Sequence, residues 1–419
     1  MKRNLFQRLL PGSKQPTFGP FPHPNSRKNV KAPAKPLQKK DINYEQNKKE
    51  ITAHFKRQQD ALTIVKTTTT SKGKTIDWIP IGSQGTIATP PPPPATDLEL
   101  RDARHKATQA IPELAMEGAE KGPEGTVPIL RKNLEKLGFT QSLDMYLSKT
   151  KGNKIGSTHM PTPSVAGVHR YANSTQSVTN YGGQGVISGY SPYVQSSNDF
   201  SLLQIGCLGT SLGYYQTVEV GWQVYQEIGG DFSPHLFTYF TNNGYQQQGN
   251  NLGGYNRDVQ GWVQVDSTIF PGSTFTPYSV PGGSQEEIGI KVQQYQGNWW
   301  VNVQNTWIGY YPGSLFNSAG HEGSTMPDHA DIVGWWGEVY DSEGRTTTDM
   351  GSGLFPGAND VGNVAYMRNL QFQNNAPGNM SDYNGAAGNS DPDMYQIDAH
   401  FNSGTTWGSY AWIGGPGAG

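Results

Sequence analysis

Val218-Glu219-Val220-Gly221-Trp222-Gln223-Val224-Tyr225 alternates apolar and polar residues with the period of a β-strand. Val218, Val220, Trp222 and Val224 share a face that reads as core, and Glu219, Gly221, Gln223 and Tyr225 share the other. A second stretch, Gly334-Trp335-Trp336-Gly337-Glu338-Val339-Tyr340, repeats the arrangement, with Trp336, Glu338 and Tyr340 on one face. Each glutamate stands in an almost uncharged strand, beside glycine that leaves room and an aromatic that makes a wall. Two such carboxylates point to acid/base chemistry on something that enters a groove.

Working outward, the same pattern recurs from about His169. Short β-type runs are separated by Gly, Asn and Pro: Phe200 to Ile205, Glu219 to Tyr225, Leu236 to Thr241, Trp262 to Val265, Glu287 to Gln293, Trp299 to Val303, Ile332 to Val339 and Ala365 to Gln371. Their spacing predicts an all-β domain over 165–375, an antiparallel β-sandwich of jelly-roll type. Gly (52), Pro (29) and Tyr (21) are abundant and 16% of residues are charged, which suits turns and strands rather than helices. Residues 376–419 read as a Gly/Asn-rich C-terminal extension with a loose end.

The N-terminal part is different in kind. Residues 1–40 are Lys-, Pro- and Asn-rich without apolar periodicity and read as a disordered tail. Residues 41–160 read as a small mixed α/β region. A helix over Asp41 to Leu62 carries a thin stripe of Ile51, Phe55 and Leu62, and a strand pair follows at Ile64-Val65 and Ile76 to Ile81. After the run Pro90 to Pro94, Asp97 to Glu120 reads as helical up to Pro112, and Arg131 to Leu147 as a second amphipathic helix.

Charge separates the two parts. Residues 1–160 carry 27 Lys+Arg against 14 Asp+Glu, and residues 161–419 carry 5 against 20, within a chain of net charge −2. The basic part lacks the interleaved aromatics of a nucleic-acid surface, so it is expected to dock on the acidic part of its own chain. No apolar run is long enough to span a bilayer, and the basic N-terminus lacks an apolar stretch of signal-peptide length. The single cysteine, Cys207, forms no intrachain disulfide and reads as a buried structural thiol.

The residues around both glutamates resemble the neprosin family of glutamic peptidases. Glu219-Val220-Gly221-Trp222-Gln223-Val224-Tyr225, Leu236-Phe237-Thr238-Tyr239-Phe240-Thr241, Gly283-Ser284-Gln285, Gly297-Asn298-Trp299-Trp300, Gly309-Tyr310-Tyr311-Pro312, Gly337-Glu338-Val339, Met350-Gly351-Ser352-Gly353 and Tyr366-Met367-Arg368-Asn369 follow the family's order. Upstream, Gly73-Lys74-Thr75-Ile76-Asp77-Trp78-Ile79 resembles its activation peptide, and Pro123 to Ile129 the end of its pro-region. The resemblance implies a secreted endopeptidase made as a latent precursor, active in acid and cutting after proline, with Glu219 and Glu338 as the catalytic pair and 41–160 as an intramolecular inhibitor. Family members usually carry cysteines where this chain has Trp78, Gly122, Gly254 and Val259, which implies a disulfide-free branch and sets the oxidising compartment aside.

The chemistry requires two carboxyls in one site, one ionised to activate water and one protonated to supply a proton. Gln223, on the Glu219 face, is a candidate donor to a developing oxyanion. Tyr239, Trp336 and Tyr340 are candidate walls of a pocket for a proline ring. Of Trp299 and Trp300, adjacent on a strand, at least half is expected to be core. His321, His329 and Asp331, with Glu322 and Asp328, lack the helix of a zinc motif, so no metal or cofactor is expected. Two other readings use the same residues: a two-carboxylate glycoside hydrolase, and a non-catalytic sandwich that binds carbohydrate or Pro-rich peptide. Under the latent-peptidase reading, the basic region is a clamp that mild acid loosens and salt screens.

Overall fold

In the computed structural model, the residues described are 44–93, 107–135, 137, 141–151, 167–357, 360–375 and 379–418. The expected tail over 1–40, and the part of the expected helix over 97–106, lie outside them. Helix α1 (Tyr44–Asp60) is followed by β1 (Lys66–Thr69), β2 (Thr75–Pro80), β3 (Ala107–Gln109), β4 (Ile111–Pro112), β5 (Thr126–Leu130) and α2 (Leu143–Leu147). The larger part then runs through β6 (Val168–Asn180), β7 (Gly182–Ser188), β8 (Phe200–Gly209), β9 (Gln216–Val224), α3 (Gln226–Gly229), β10 (His235–Thr241), β11 (Gly253–Tyr255), β12 (Val263–Gln264) and β13 (Phe275–Thr276). It continues with β14 (Gln285–Tyr295), β15 (Asn298–Val303), β16 (Thr306–Pro312), β17 (Ala330–Asp341), β18 (Met350–Gly351), β19 (Tyr366–Gln373), β20 (Met380–Asp382), β21 (Ala386–Asn389), β22 (Gln396–His400) and β23 (Tyr410–Gly415).

Among the described residues these strands build two large sheets. One has the order β11-β10-β9-β8-β17-β6-β21 and the other the path β12-β16-β15-β14-β7-β19-β23-β18, antiparallel along both. The alternation read from β9 holds: Val218, Val220, Trp222 and Val224 are buried in the core with Leu203, Ile205, Cys207, Val333 and Trp335. The Trp222 indole crosses between the sheets and donates to the Ser188 carbonyl of β7 at 2.9 Å. Trp299 and Trp300 are both buried, Trp299 with its indole N–H on the Met326 carbonyl and Trp300 against Tyr310.

The basic region is stitched onto this framework. Ile51 and Phe55 of α1 are buried in the main core, and the imidazole of His54 bonds the Asp258 carbonyl at 2.6 Å. Strand β3 adds in parallel to β14, and β4 pairs with β13. Lys132 lies 2.8 Å from Asp258, with both side chains nearly buried. The small sheet β1-β2-β5 is held within itself by Asp77, whose carboxylate takes the Arg131 Nε at 2.8 Å and the Gln59 amide at 2.7 Å.

Four expectations need correction. Residues 107–112 are extended rather than helical, because pairing with β14 and β13 supplies backbone bonds that a helix ending at Pro112 lacks. Of Arg131 to Leu147, only Leu143–Leu147 is helical among the described residues, capped by the Ser142 hydroxyl on the Met145 amide. The end of the chain is not loose: β23 runs between β19 and β18, with Ala411, Trp412 and Ile413 buried among the glycines. The first strand of the basic region's pair also lies later than read, at Lys66–Thr69, while the second, Thr75–Pro80, falls within one residue of its reading.

The four positions at which the resemblance places cysteines form two touching pairs. A Cβ on Gly122 would stand 2.3 Å from the Trp78 ring, and one on Gly254 would stand 2.8 Å from the Val259 methyls. Each pair sets a larger side chain over a glycine, so the space is filled by packing. Gly122→Ala is expected to overpack that contact at a cost of about 1–3 kcal/mol, lowering the unfolding temperature. An unchanged melting curve for Gly122→Ala would show that the ring has room to spare.

Candidate active site

Glu219 and Glu338 come from β9 and β17, which are separated in the sheet by β8 alone. Register sets Glu219 opposite Gly206 of β8 and Tyr239 of β10, and Glu338 opposite Leu202 of β8 and Tyr171 of β6. Gly206 is required here: a Cβ would stand 2.2 Å from the Trp336 ring, which lies over the glycine next to Glu219. Glu219 is thus flanked by Trp336 on one side and Tyr239 on the other.

Both carboxylates are buried and both are held. One Glu219 oxygen accepts from Thr217 at 2.9 Å and Tyr245 at 2.6 Å, and the other from the Gln204 amide at 2.8 Å. Glu338 meets the His169 Nδ1 at 2.7 Å and accepts from Tyr171 at 3.1 Å. The two converge on one cation. The Lys149 ammonium, just beyond α2, donates to Glu219, lies 3.0 Å from Glu338 and donates to the Gln204 oxygen at 2.9 Å. Its side chain is 4% exposed, and the Phe237 and Tyr239 rings lie 5.8 and 5.9 Å from the ammonium.

Burial opposes charge on Glu338 and on Lys149, and their partners overcome it. Desolvation pushes the Glu338 carboxyl up, but the Lys149 ammonium and the His169 bond outweigh it and hold it at about 2. Desolvation pushes Lys149 down, and the two glutamates outweigh that, so its pKa lies above the ordinary lysine value. A lysine in this position is therefore an ammonium neutralised by two carboxylates. The segment that carries it is also bonded through its backbone, with the Thr150 carbonyl 3.2 Å from the His169 Nε2.

The Neprosin family model matches residues 197–416, just over half of the chain, and the match includes both glutamates and the C-terminal strands. The chain belongs to the Neprosin family. It is also similar to two solved structures of scytalido-glutamic peptidase. One, with a peptide-based transition state analog, is 6% identical with a TM-score of 0.30; the other, with a transition state analog inhibitor, is 7% identical with a TM-score of 0.27. Each comparison covers 58% of this chain and 97% of the other.

Within this Neprosin-family chain, the residues singled out in the sequence are not all in one place. Glu219, Glu338, Tyr239 and Trp336 come together. Tyr340 lies two residues beyond Glu338, packed on His169 at 4.7 Å and Phe200 at 5.7 Å between ring centres. Gln223 stands in the row of Leu202 and Glu338, buried, and its side-chain oxygen has no hydrogen-bond partner among the described residues. His321 is elsewhere, bonded to Tyr214 at 2.7 Å, while Asp331 accepts from the Thr210 amide at 2.7 Å.

Thr217, two residues before Glu219 on the same strand, was not singled out, and five groups from other segments that hold the glutamates were missed: Lys149, His169, Tyr171, Gln204 and Tyr245. Only Gln204 left a signal, as the polar residue inside Leu202-Leu203-Gln204-Ile205. The other four come from segments distant in the chain, and nothing local marks them.

Proposed function

We propose that the chain is a latent glutamic endopeptidase that cleaves after proline in acid, with Glu219 and Glu338 as its catalytic pair. The observation that carries this reading is the meeting of two buried carboxylates on one ammonium, supplied by a polypeptide segment that crosses the same sheet face. With the ammonium gone, two carboxylates that close share a proton as acid is approached. The ionised member takes a proton from water as the hydroxide adds to the scissile carbonyl carbon and the protonated member gives its proton to the carbonyl oxygen; when the C–N bond of the resulting diol breaks, the proton taken from water passes to the leaving amine and a diol hydroxyl returns one to the other carboxylate. Gln204, Thr217 and Tyr245 orient Glu219, His169 and Tyr171 orient Glu338, and the Gln223 amide is the proposed donor to the oxyanion.

The occupant of the groove favours peptide over glycan: residues 148–151 lie across it, held by a backbone carbonyl as well as by charge. On this reading the region 41–160 is the inhibitor of its own chain, and the contacts of Lys149 and Thr150 support it. Trp336 and Tyr239 on either side of Glu219 suit the flat, compact ring of proline. Incubating the acid-exposed protein with a mixed peptide library and with a soluble glycan tests the reading. Mass spectrometry should show peptide products ending in proline and an intact glycan. Cuts spread over residue types would remove the proline preference, and glycan cleavage without peptide cleavage would replace the peptidase.

A further inference from the structure

A third buried carboxylate faces the same segment. Glu227 belongs to α3, the short helix directly after β9, and is 3% exposed. One carboxylate oxygen accepts from the Tyr225 hydroxyl and lies 3.8 Å from the Lys151 ammonium. The other oxygen is buried and has no hydrogen-bond partner among the described residues. Lys151 sits 4.9 Å above the Tyr225 ring, and its ammonium is otherwise bonded to its own segment, at the Met145 and Tyr146 carbonyls. Tyr146 completes the cover by donating to the Glu227 backbone carbonyl at 3.1 Å.

The cover over Glu227 therefore comes from Tyr146 and Lys151, both in the segment that carries Lys149, while the pocket itself comes from the end of β9 and from α3. The pocket adjoins the catalytic pair through a continuous aromatic wall: Tyr225 packs on Phe200 at 5.4 Å, Phe200 on Tyr340 at 5.7 Å, and Tyr340 on His169, which bonds Glu338. Lys149 and Lys151, two positions apart, reach the pair and the pocket respectively.

We propose that Glu227 and Tyr225 form a substrate subsite for a Lys or Arg side chain, within about three residues of the scissile bond. This rests on the peptidase reading. When the covering segment leaves, Glu227 keeps a hydroxyl donor and an aromatic face but loses its cation; burial pushes its carboxyl up and a cation beside it pulls it down, so a basic side chain seated where Lys151 was restores the ionised form and is selected by charge and by cation–π contact. Lys151 marks where such a side chain goes.

The test uses the full chain after acid exposure and a set of peptides with one proline cut site. Each of the two positions before the proline and the three after the bond carries lysine, arginine, norleucine or glutamate in turn. The readout is the ratio of kcat/KM for lysine to that for norleucine at the same position, so that any loss of overall activity in a variant cancels. At one position the wild type should favour lysine by about tenfold or more. Glu227→Gln should bring that ratio close to one, and Glu227→Lys should shift the preference at that position to glutamate. A wild-type ratio near one at all five positions, or a preference for lysine unchanged in Glu227→Gln, would overturn the subsite while cleavage itself stands. Absence of cleavage of any peptide would remove the peptidase reading and the subsite with it.

Discussion

Replacing either Glu219 or Glu338 by glutamine should reduce kcat/KM of the acid-exposed protein about a thousandfold or more and leave the fold intact. Glutamine keeps the volume and planarity of the side chain on a strand whose opposite face makes the core, so the packing of Val218, Val220 and Trp222 is untouched. What disappears is a group that can exchange a proton. Losing one partner of a coupled pair costs the general base or the general acid outright, and the effects of such a unit do not add. The double variant should accordingly be no worse than the poorer single one. Steady-state kinetics together with the unfolding temperature decide it. Near-normal turnover by a folded single variant would take that residue out of the mechanism.

The second large effect is expected at Lys149. Lys149→Met keeps the stem and removes the ammonium, leaving two buried carboxylates face to face at neutral pH, at a cost of about 3–5 kcal/mol. The segment should then leave the groove without acid, and cleavage before acid exposure should rise by two orders of magnitude or more. Limited proteolysis between residues 141 and 167 should become faster in parallel. Lys149→Arg, which retains the charge, should stay latent. A Lys149→Met chain that is as silent and as resistant as the wild type would mean that packing, not charge, closes the site.

The pH dependence of that closure follows from Glu338. Its carboxyl lies at about 2 in the closed form, against 4.5 for an ordinary glutamate. A depressed value stabilises the closed form fully above pH of about 4.5, and the contribution is lost as pH falls towards 2. Opening is thus expected to be driven by acid, in a lower range than the mild acid expected from net charge alone. The pairs of Lys149 and Lys151 are also nearly sealed from solvent, with the lysine side chains 4% and 0% exposed, which leaves little for salt to screen.

Part of this was legible in the chain, and the division has a physical cause. Alternation with period two is a local property, so β9 and β17, the inward set of Val218, Val220, Trp222 and Val224, and the placement of Glu219 and Glu338 on the outward faces were all readable residue by residue. The same local logic failed where a partner decides conformation. Residues 107–112 are strands because β14 and β13 accept them, and Tyr410–Gly415 is an inner strand because β19 and β18 flank it.

The sequence by itself therefore determined an antiparallel β protein with two strand-borne glutamates and a basic region set against an acidic one. Only the tertiary structure decided that β8 alone separates the two glutamate strands, that Gly206 makes room for Trp336 beside Glu219, and that Lys149, rather than charge in general, closes the pair. Strand order and the choice of one lysine among the 32 Lys and Arg residues depend on contacts between segments 70 to 190 positions apart. Hydrophobic periodicity fixes which way a side chain points on its own strand, but it carries no term for which distant group will meet it there.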